Sequence, residues 1–248
     1  MRRLLPDPGS TTVDEQVAGY RPWEEPRAER PLVAVNFAAT VDGRATIAGV
    51  SGPIGSATDT AMLGALRTRF DAVMIGAGTM RAERYGPLPN NPERREERER
   101  LGLSPDPLLV IVSGRLDLPW DAAAFTDGGG KVLILTASEA EPPETATPVK
   151  LIRHDGFVNI VEALRQLHAD FGIQALLCEG GPGLHNQLEG AGYVDDLFLT
   201  IAPKLAGGDA PRIIEGDLPG ITELELAWLL ELDGELFARY RRRSAPLA

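Results

Sequence analysis

Two glycine-rich turns carry the clearest chemical signal in the sequence. Gly76-Ala77-Gly78-Thr79 follows the apolar run Ala72-Val73-Met74-Ile75, and Glu179-Gly180-Gly181-Pro182-Gly183 follows Ala175-Leu176-Leu177-Cys178. Without a Cβ, glycine lets a ligand's phosphates approach the backbone, and a helix starting at such a turn offers free N–H groups. Pro182 suits the first turn of that helix. A Rossmann fingerprint would need its third glycine at position 81, which is Arg81, so the first turn alone is equally consistent with a plain tight turn. Two such turns in one sheet point instead to a ligand crevice at the carboxyl ends of its strands.

Two further segments have suitable chemistry. In Thr40-Val41-Asp42-Gly43-Arg44, Asp42 and Arg44 could orient a polar heterocycle, or the segment could be an ordinary Asp-Gly turn. In Ser113-Gly114-Arg115, Ser113 and Arg115 could grip a 2′-phosphate and so select NADPH over NADH, or could form a plain loop. Metal-ligand spacing is absent: His154, His168 and His185 are scattered and Cys178 is the one cysteine. The sequence also lacks a Walker loop, the zinc-deaminase pattern and a Gly-x-Ser-x-Gly elbow. Hydride transfer requires none of these; it requires a bound nicotinamide and an oriented acceptor.

The elements that position these turns alternate in type. A strand is expected at 32–38, followed by a glycine-rich loop or short hairpin from Gly43 to Gly55. Ser56 and Asp59 have capping-box spacing ahead of a helix carrying Met62, Leu63, Leu66 and Phe70 and ending near Asp71. Further strands are expected at 72–75, 108–112, 132–135, 149–152, 175–178 and 196–201, with helices at 158–170 and from the second glycine turn to about 189. Residues 93–100 alternate Glu and Arg and read as a solvated helix or loop. Residues 223–241 read as a hairpin turning at Asp233-Gly234. The pattern predicts an α/β fold: a mostly parallel mixed sheet with helices on both faces and a C-terminal β-hairpin. Residues 1–30, rich in Pro, Glu and Arg, are expected as an arm on the surface or on a partner subunit.

Composition narrows the function classes. With 43% hydrophobic residues the chain can fill a core, and its net charge of −11 disfavours nucleic-acid binding. Met1-Arg2-Arg3 lacks the apolar stretch of a secretion signal, and no window approaches the ~18 uninterrupted apolar residues of a membrane span. A single cysteine suits a reducing compartment, so a cytoplasmic location is expected.

Taken together, the segments resemble the reductase domain of the bacterial bifunctional riboflavin-pathway deaminase-reductase and its stand-alone relatives. The likeness runs from about Arg30 to Arg241. It rests on Ala39-Thr40-Val41-Asp42-Gly43-Arg44, on Leu66-Arg67 with Asp71-Ala72-Val73 and Gly76-Ala77-Gly78-Thr79, and on Glu179-Gly180-Gly181-Pro182. Asp195-Asp196-Leu197, Ala202-Pro203 and Gly207-Gly208 extend it. The resemblance implies a dihydrofolate-reductase-like three-layer fold, with one reductase domain over 31–243, and a homodimer. It also implies NADPH-dependent reduction of the ribosyl group of an aminopyrimidine ribonucleotide. Gly76, Gly78, Thr79, Gly180, Gly181 and Pro182 would then line the cofactor, and Ser113 and Arg115 would meet its 2′-phosphate. Asp42 and Glu179 would face the substrate as catalytic groups, with Arg44 and Arg81 as further substrate contacts.

The chain also departs from the pattern. Thr60 and Leu63 stand where relatives carry Arg and His, and Arg81-Ala82-Glu83-Arg84-Tyr85-Gly86 replaces Leu-Ala-Asp-Asp-Pro. A changed acceptor, such as a pterin or dihydrofolate, and a non-catalytic NADPH-binding protein are the alternative readings.

Overall fold

The computed structural model describes residues 1–89 and 91–243. Its strands, in chain order, are β1 (Arg2–Leu5), β2 (Gly9–Ser10), β3 (Leu32–Thr40), β4 (Ala72–Gly76), β5 (Leu108–Val112), β6 (Val132–Thr136), β7 (Val149–Arg153), β8 (Ala175–Cys178), β9 (Asp196–Ala202), β10 (Leu224–Leu232) and β11 (Glu235–Arg242). The helices are α1 (Val13–Ala18), α2 (Ala57–Arg67), α3 (Ala77–Glu83), α4 (Pro92–Arg100), α5 (Ala123–Thr126), α6 (Ile160–Phe171) and α7 (Pro182–Gly190). The strands form one sheet in the order β2-β1-β10-β11-β9-β3-β8-β4-β5-β6-β7. From β9 to β7 all pairings are parallel. The pairings among β9, β11, β10, β1 and β2 are antiparallel.

The layers follow from the two-residue period of a strand. Val33 and Val35 pack with Leu164 and Leu167 of α6 and Leu188 of α7. Their neighbours Leu32 and Ala34 pack on the opposite face with Met62 and Leu66 of α2. On that same face Val73 and Ile75 meet Met80 of α3 and Phe125 of α5. Strands buried on both faces read as continuous apolar runs, which is why β4, β5, β6 and β8 are so apolar in sequence. The mixed sheet between two helical layers and the hairpin at Asp233-Gly234 match the sequence expectation.

Four features differ from the sequence reading. Helix α2 ends at Arg67, short of Asp71, because Arg69 and Phe70 turn inward and Phe70 is fully buried. Residues 93–100 are helical, but the segment is not solvated throughout. Arg98 is wholly buried and donates to the carbonyls of Arg67, Phe70 and Ser104, each at 2.7 Å. Ser56 caps α2 through the N–H groups of Thr58 and Asp59, but Asp59 does not reach back to complete the box; its carboxyl lies against Gly55. Residues 1–30 hold β1, β2 and α1; β1 pairs with β10, and Val17 and Tyr20 enter the α2 side of the core.

A candidate ligand cleft at the strand ends

A cleft of about 590 Å³ opens near the carboxyl ends of β3, β4, β5 and β8. The two glycine turns meet at its base. The Gly76 N–H donates to the Gly180 carbonyl at 2.8 Å, and the Glu179 N–H donates to the Met74 carbonyl at 3.0 Å. Gly180 has a φ of +88°, and a Cβ there would lie 2.9 Å from the Phe37 ring; only glycine fits on both counts. The Gly180–Gly181 peptide is cis. Gly76 and Gly181 are the N-caps of α3 and α7, and Pro182 opens α7. Beyond this contact Gly78 and Gly183 face open space. The cleft base is therefore bare backbone with helix N-termini beside it, which suits the diphosphate of a dinucleotide.

Glu179 lines the cleft and is buried. Arg67 donates to both of its oxygens, from Nε at 2.7 Å and Nη2 at 2.6 Å, and the Tyr85 hydroxyl adds a third bond at 2.6 Å. Burial disfavours the Arg67 charge, but the adjacent Glu179 carboxylate outweighs that and holds the guanidinium above its ordinary range. Burial, reinforced by the same carboxylate, pushes the Tyr85 phenol well up. The three groups form one closed polar unit, in which Glu179 is already neutralised. Arg98 fixes this unit from behind by holding the Arg67 carbonyl.

The other expected site residues separate into two sets. Gly76, Gly78, Thr79, Gly181, Pro182 and Glu179 line the cleft, and Gly180 supports it through Gly76. Asp42, Arg44, Arg81, Ser113 and Arg115 are not among its lining residues. Exposed Asp42 accepts from the Thr40 hydroxyl at 2.6 Å and from the N–H groups of Ala206 and Gly207 at 3.1 and 2.7 Å; these bonds hold its carboxyl down at about 2. It therefore pins the loop after β9. Arg44 donates to the Ala210 carbonyl at 2.8 Å. Arg81 bonds the Asp117 carbonyl at 2.7 Å, and Arg84 pairs with Asp121 at 2.7 Å. Ser113 is buried at the end of β5, and Arg115 is exposed in the following loop.

Several lining residues carried no signal in the sequence reading, among them Asn36, Asp59 and Tyr85. Asp59 was hidden by its position in an apparent capping box. Burial raises its pKa, the Thr200 hydroxyl opposes that rise, and the Glu235 charge adds to it. His185, whose ring stacks on Phe37 at 5.3 Å, is structural: its Nδ1 lies 2.8 Å from the Ile213 carbonyl, and burial lowers its pKa. Among the described residues no cluster of His, Cys, Asp or Glu could hold a metal ion.

Residues 31–236 match the family described as RibD C-terminal domain. The chain is 30% identical over 187 residues to the 2,5-diamino-6-ribosylamino-4(3H)-pyrimidinone 5′-phosphate reductase of Archaeoglobus fulgidus, covering 72% of this chain and 83% of that one. Its structure superposes with a TM-score of 0.74 on a pyrimidine reductase-like protein from Corynebacterium diphtheriae, at 26% identity, covering 95% of this chain and all of the other. At 22% identity and a TM-score of 0.69, it shares its fold with 57% of a Thermotoga maritima diaminohydroxyphosphoribosylaminopyrimidine deaminase/5-amino-6-(5-phosphoribosylamino)uracil reductase.

Proposed function

This chain belongs to the RibD C-terminal domain family, and from that membership we propose that it is an NADPH-dependent reductase of an aminopyrimidine ribonucleotide in riboflavin biosynthesis. It is an oxidoreductase with the dihydrofolate-reductase-like three-layer fold of those reductases. The observation that carries the reading is the junction of the two glycine turns, Gly76 to Gly180, beneath a cleft large enough for a nicotinamide and a pyrimidine side by side.

A nicotinamide held at the glycine wall of Gly76, Gly78 and Gly181 would supply the hydride for reduction of the ribosyl group. The chain's own work is positioning. The bare backbone around Gly78 and Gly181 would take the diphosphate, and Thr79 closes against Gly181, where a Cβ would meet its hydroxyl at 3.1 Å. Ser113 and Arg115, at the end of β5, are assigned to the 2′-phosphate. Glu179, locked by Arg67 and Tyr85, presents a fixed polar wall to the substrate instead of acting as a free base. A cytoplasmic homodimer is part of the proposal.

One observation favours a second reading. Among the described residues no Lys or Arg lines the cleft, so a substrate phosphate has no cationic side chain waiting for it. A pterin ring, which carries no phosphate, would not need one.

NADPH oxidation, followed by absorbance, tests both readings. The phosphorylated ribosylaminopyrimidine, its dephosphorylated form and dihydrofolate are offered separately. Turnover confined to the phosphorylated pyrimidine is expected. Turnover with dihydrofolate alone would transfer the assignment to the second reading.

A further inference from the structure

A second pocket, of about 520 Å³, opens on the edge of the sheet opposite the cleft. Strands β4, β5, β6 and β8 run parallel, so their amino ends share that edge, and residues at or just ahead of those ends form the walls. Leu108, Phe171 and Ile173 make an apolar side. Four charged side chains complete the lining, and they are unequally committed. Asp71 accepts from the N–H groups of Gln174 and Ala175, both at 2.9 Å. Asp106 pairs with Arg95 at 2.5 Å. Lys131 is exposed. Arg98 is wholly buried; its Nε and Nη1 donate to the carbonyls of Ser104, Arg67 and Phe70. Its Nη2, also buried, has no acceptor among the described residues. Burial lowers the Arg98 pKa to about 10, against the opposing pull of Asp71 and Asp106, so the guanidinium is still charged at neutral pH.

Buried donors are almost always satisfied, and an exception marks a place for a water, an ion or a ligand. A water's share of volume is about 30 Å³, a small part of this pocket, and the pocket's own volume is that of a small-molecule site. With Asp106 matched by Arg95, the lining sets two cations, Arg98 and Lys131, against the carboxylate of Asp71. That balance suits one negative charge. We propose that this pocket is a second ligand site, which takes a small monocarboxylate with an apolar body. One carboxylate oxygen would accept from Arg98 Nη2, a charge-assisted bond about twice as strong as that of a neutral amide. The other would face Lys131, and the apolar body would lie against Leu108, Phe171 and Ile173. A dianion such as phosphate would bring a second charge toward Asp71. The proposal does not depend on the reductase reading, because no residue lines both this pocket and the cleft.

The test follows amide chemical shifts of the full chain during titration with benzoate and with its neutral counterpart, benzamide. Benzoate is expected to shift the amides around Lys131 and Ile173 with a Kd of about 1 mM or tighter, an affinity within reach of a ligand of its size. Benzamide is expected to bind about 10-fold more weakly. Arg98→Met would remove the donor but also unsettle the fold, so the variant of choice is Lys131→Glu, at an exposed position. It is expected to weaken benzoate by about 3-fold or more. Saturating NADPH is expected to leave the benzoate affinity unchanged. Absence of benzoate binding, equal affinity for the two probes, or an unaltered affinity in Lys131→Glu overturns the proposal. Displacement of benzoate by NADPH would assign the binding to the cleft and overturn it as well.

Discussion

Arg67 grips Glu179 through two parallel hydrogen bonds, of 2.7 and 2.6 Å, although the two residues lie 112 positions apart in sequence. Their side chains are 20% and 3% exposed, so the pair is largely withdrawn from water. Removing one member leaves the other charge buried and unmatched. Glu179→Ala is therefore expected to cost about 3–5 kcal/mol, read from urea unfolding. A loss under about 1 kcal/mol would mean that water reaches Arg67 freely.

Gly180→Ala tests the junction beneath the cleft. The new Cβ would sit at a positive φ and against the Phe37 ring. A cost of about 1–3 kcal/mol is expected from the backbone conformation alone. Cofactor binding, followed by NADPH fluorescence, should weaken with it. Wild-type binding in a stably folded variant would show that the turn does not shape the cofactor wall.

Arg98→Met separates a buried arginine from its exposed neighbours. Three carbonyls would lose their donor, and a destabilisation of about 3 kcal/mol or more is expected. Arg100→Ala, on the exposed side of the same helix, should stay within about 0.5 kcal/mol. Equal effects in thermal unfolding would contradict the burial of Arg98.

Asp42 gives a pH signature. Its folded pKa lies near 2 against an ordinary 3.8, a depression caused first by the Thr40 hydroxyl and then by the Ala206 and Gly207 amides. Its contribution is complete above 3.8 and is lost as the pH falls through the folded value. The melting temperature of Asp42→Asn should therefore fall less than that of the wild type across this acid window. Parallel curves would show that these hydrogen bonds do not form in solution.

Arg115→Ala should weaken NADPH binding more than NADH binding. Arg115 is exposed just beyond β5, where a charge-assisted contact to a phosphate costs little desolvation. Equal losses for the two dinucleotides would remove it from the proposed cofactor contacts.

The sequence and the structure agree best where the physics is local. An apolar run followed by paired glycines and a proline specifies a strand, a turn and a helix start without distant partners. The sheet and the glycine wall of the cleft were legible for that reason. The tie from Asp42 to the amides of 206 and 207 was not legible, because those partners lie far along the chain. Arg98 was indistinguishable from the other arginines of α4, since only packing against the end of α2 decides which one is enclosed. Asp59 sat at capping-box spacing, and only the folded chain reveals that it lines the cleft instead of closing the box.

The pairing of β1 with β10 bears on how the chain behaves at high concentration. Strand β10 is nine residues long and would otherwise present an open ladder of amides and carbonyls on one side. Arg2 and Arg3 cover part of that side, and the sheet then ends in β2, a two-residue margin too short to recruit another chain. Trimming the first ten residues would bare a template for aggregation on a protein whose cleft is otherwise untouched.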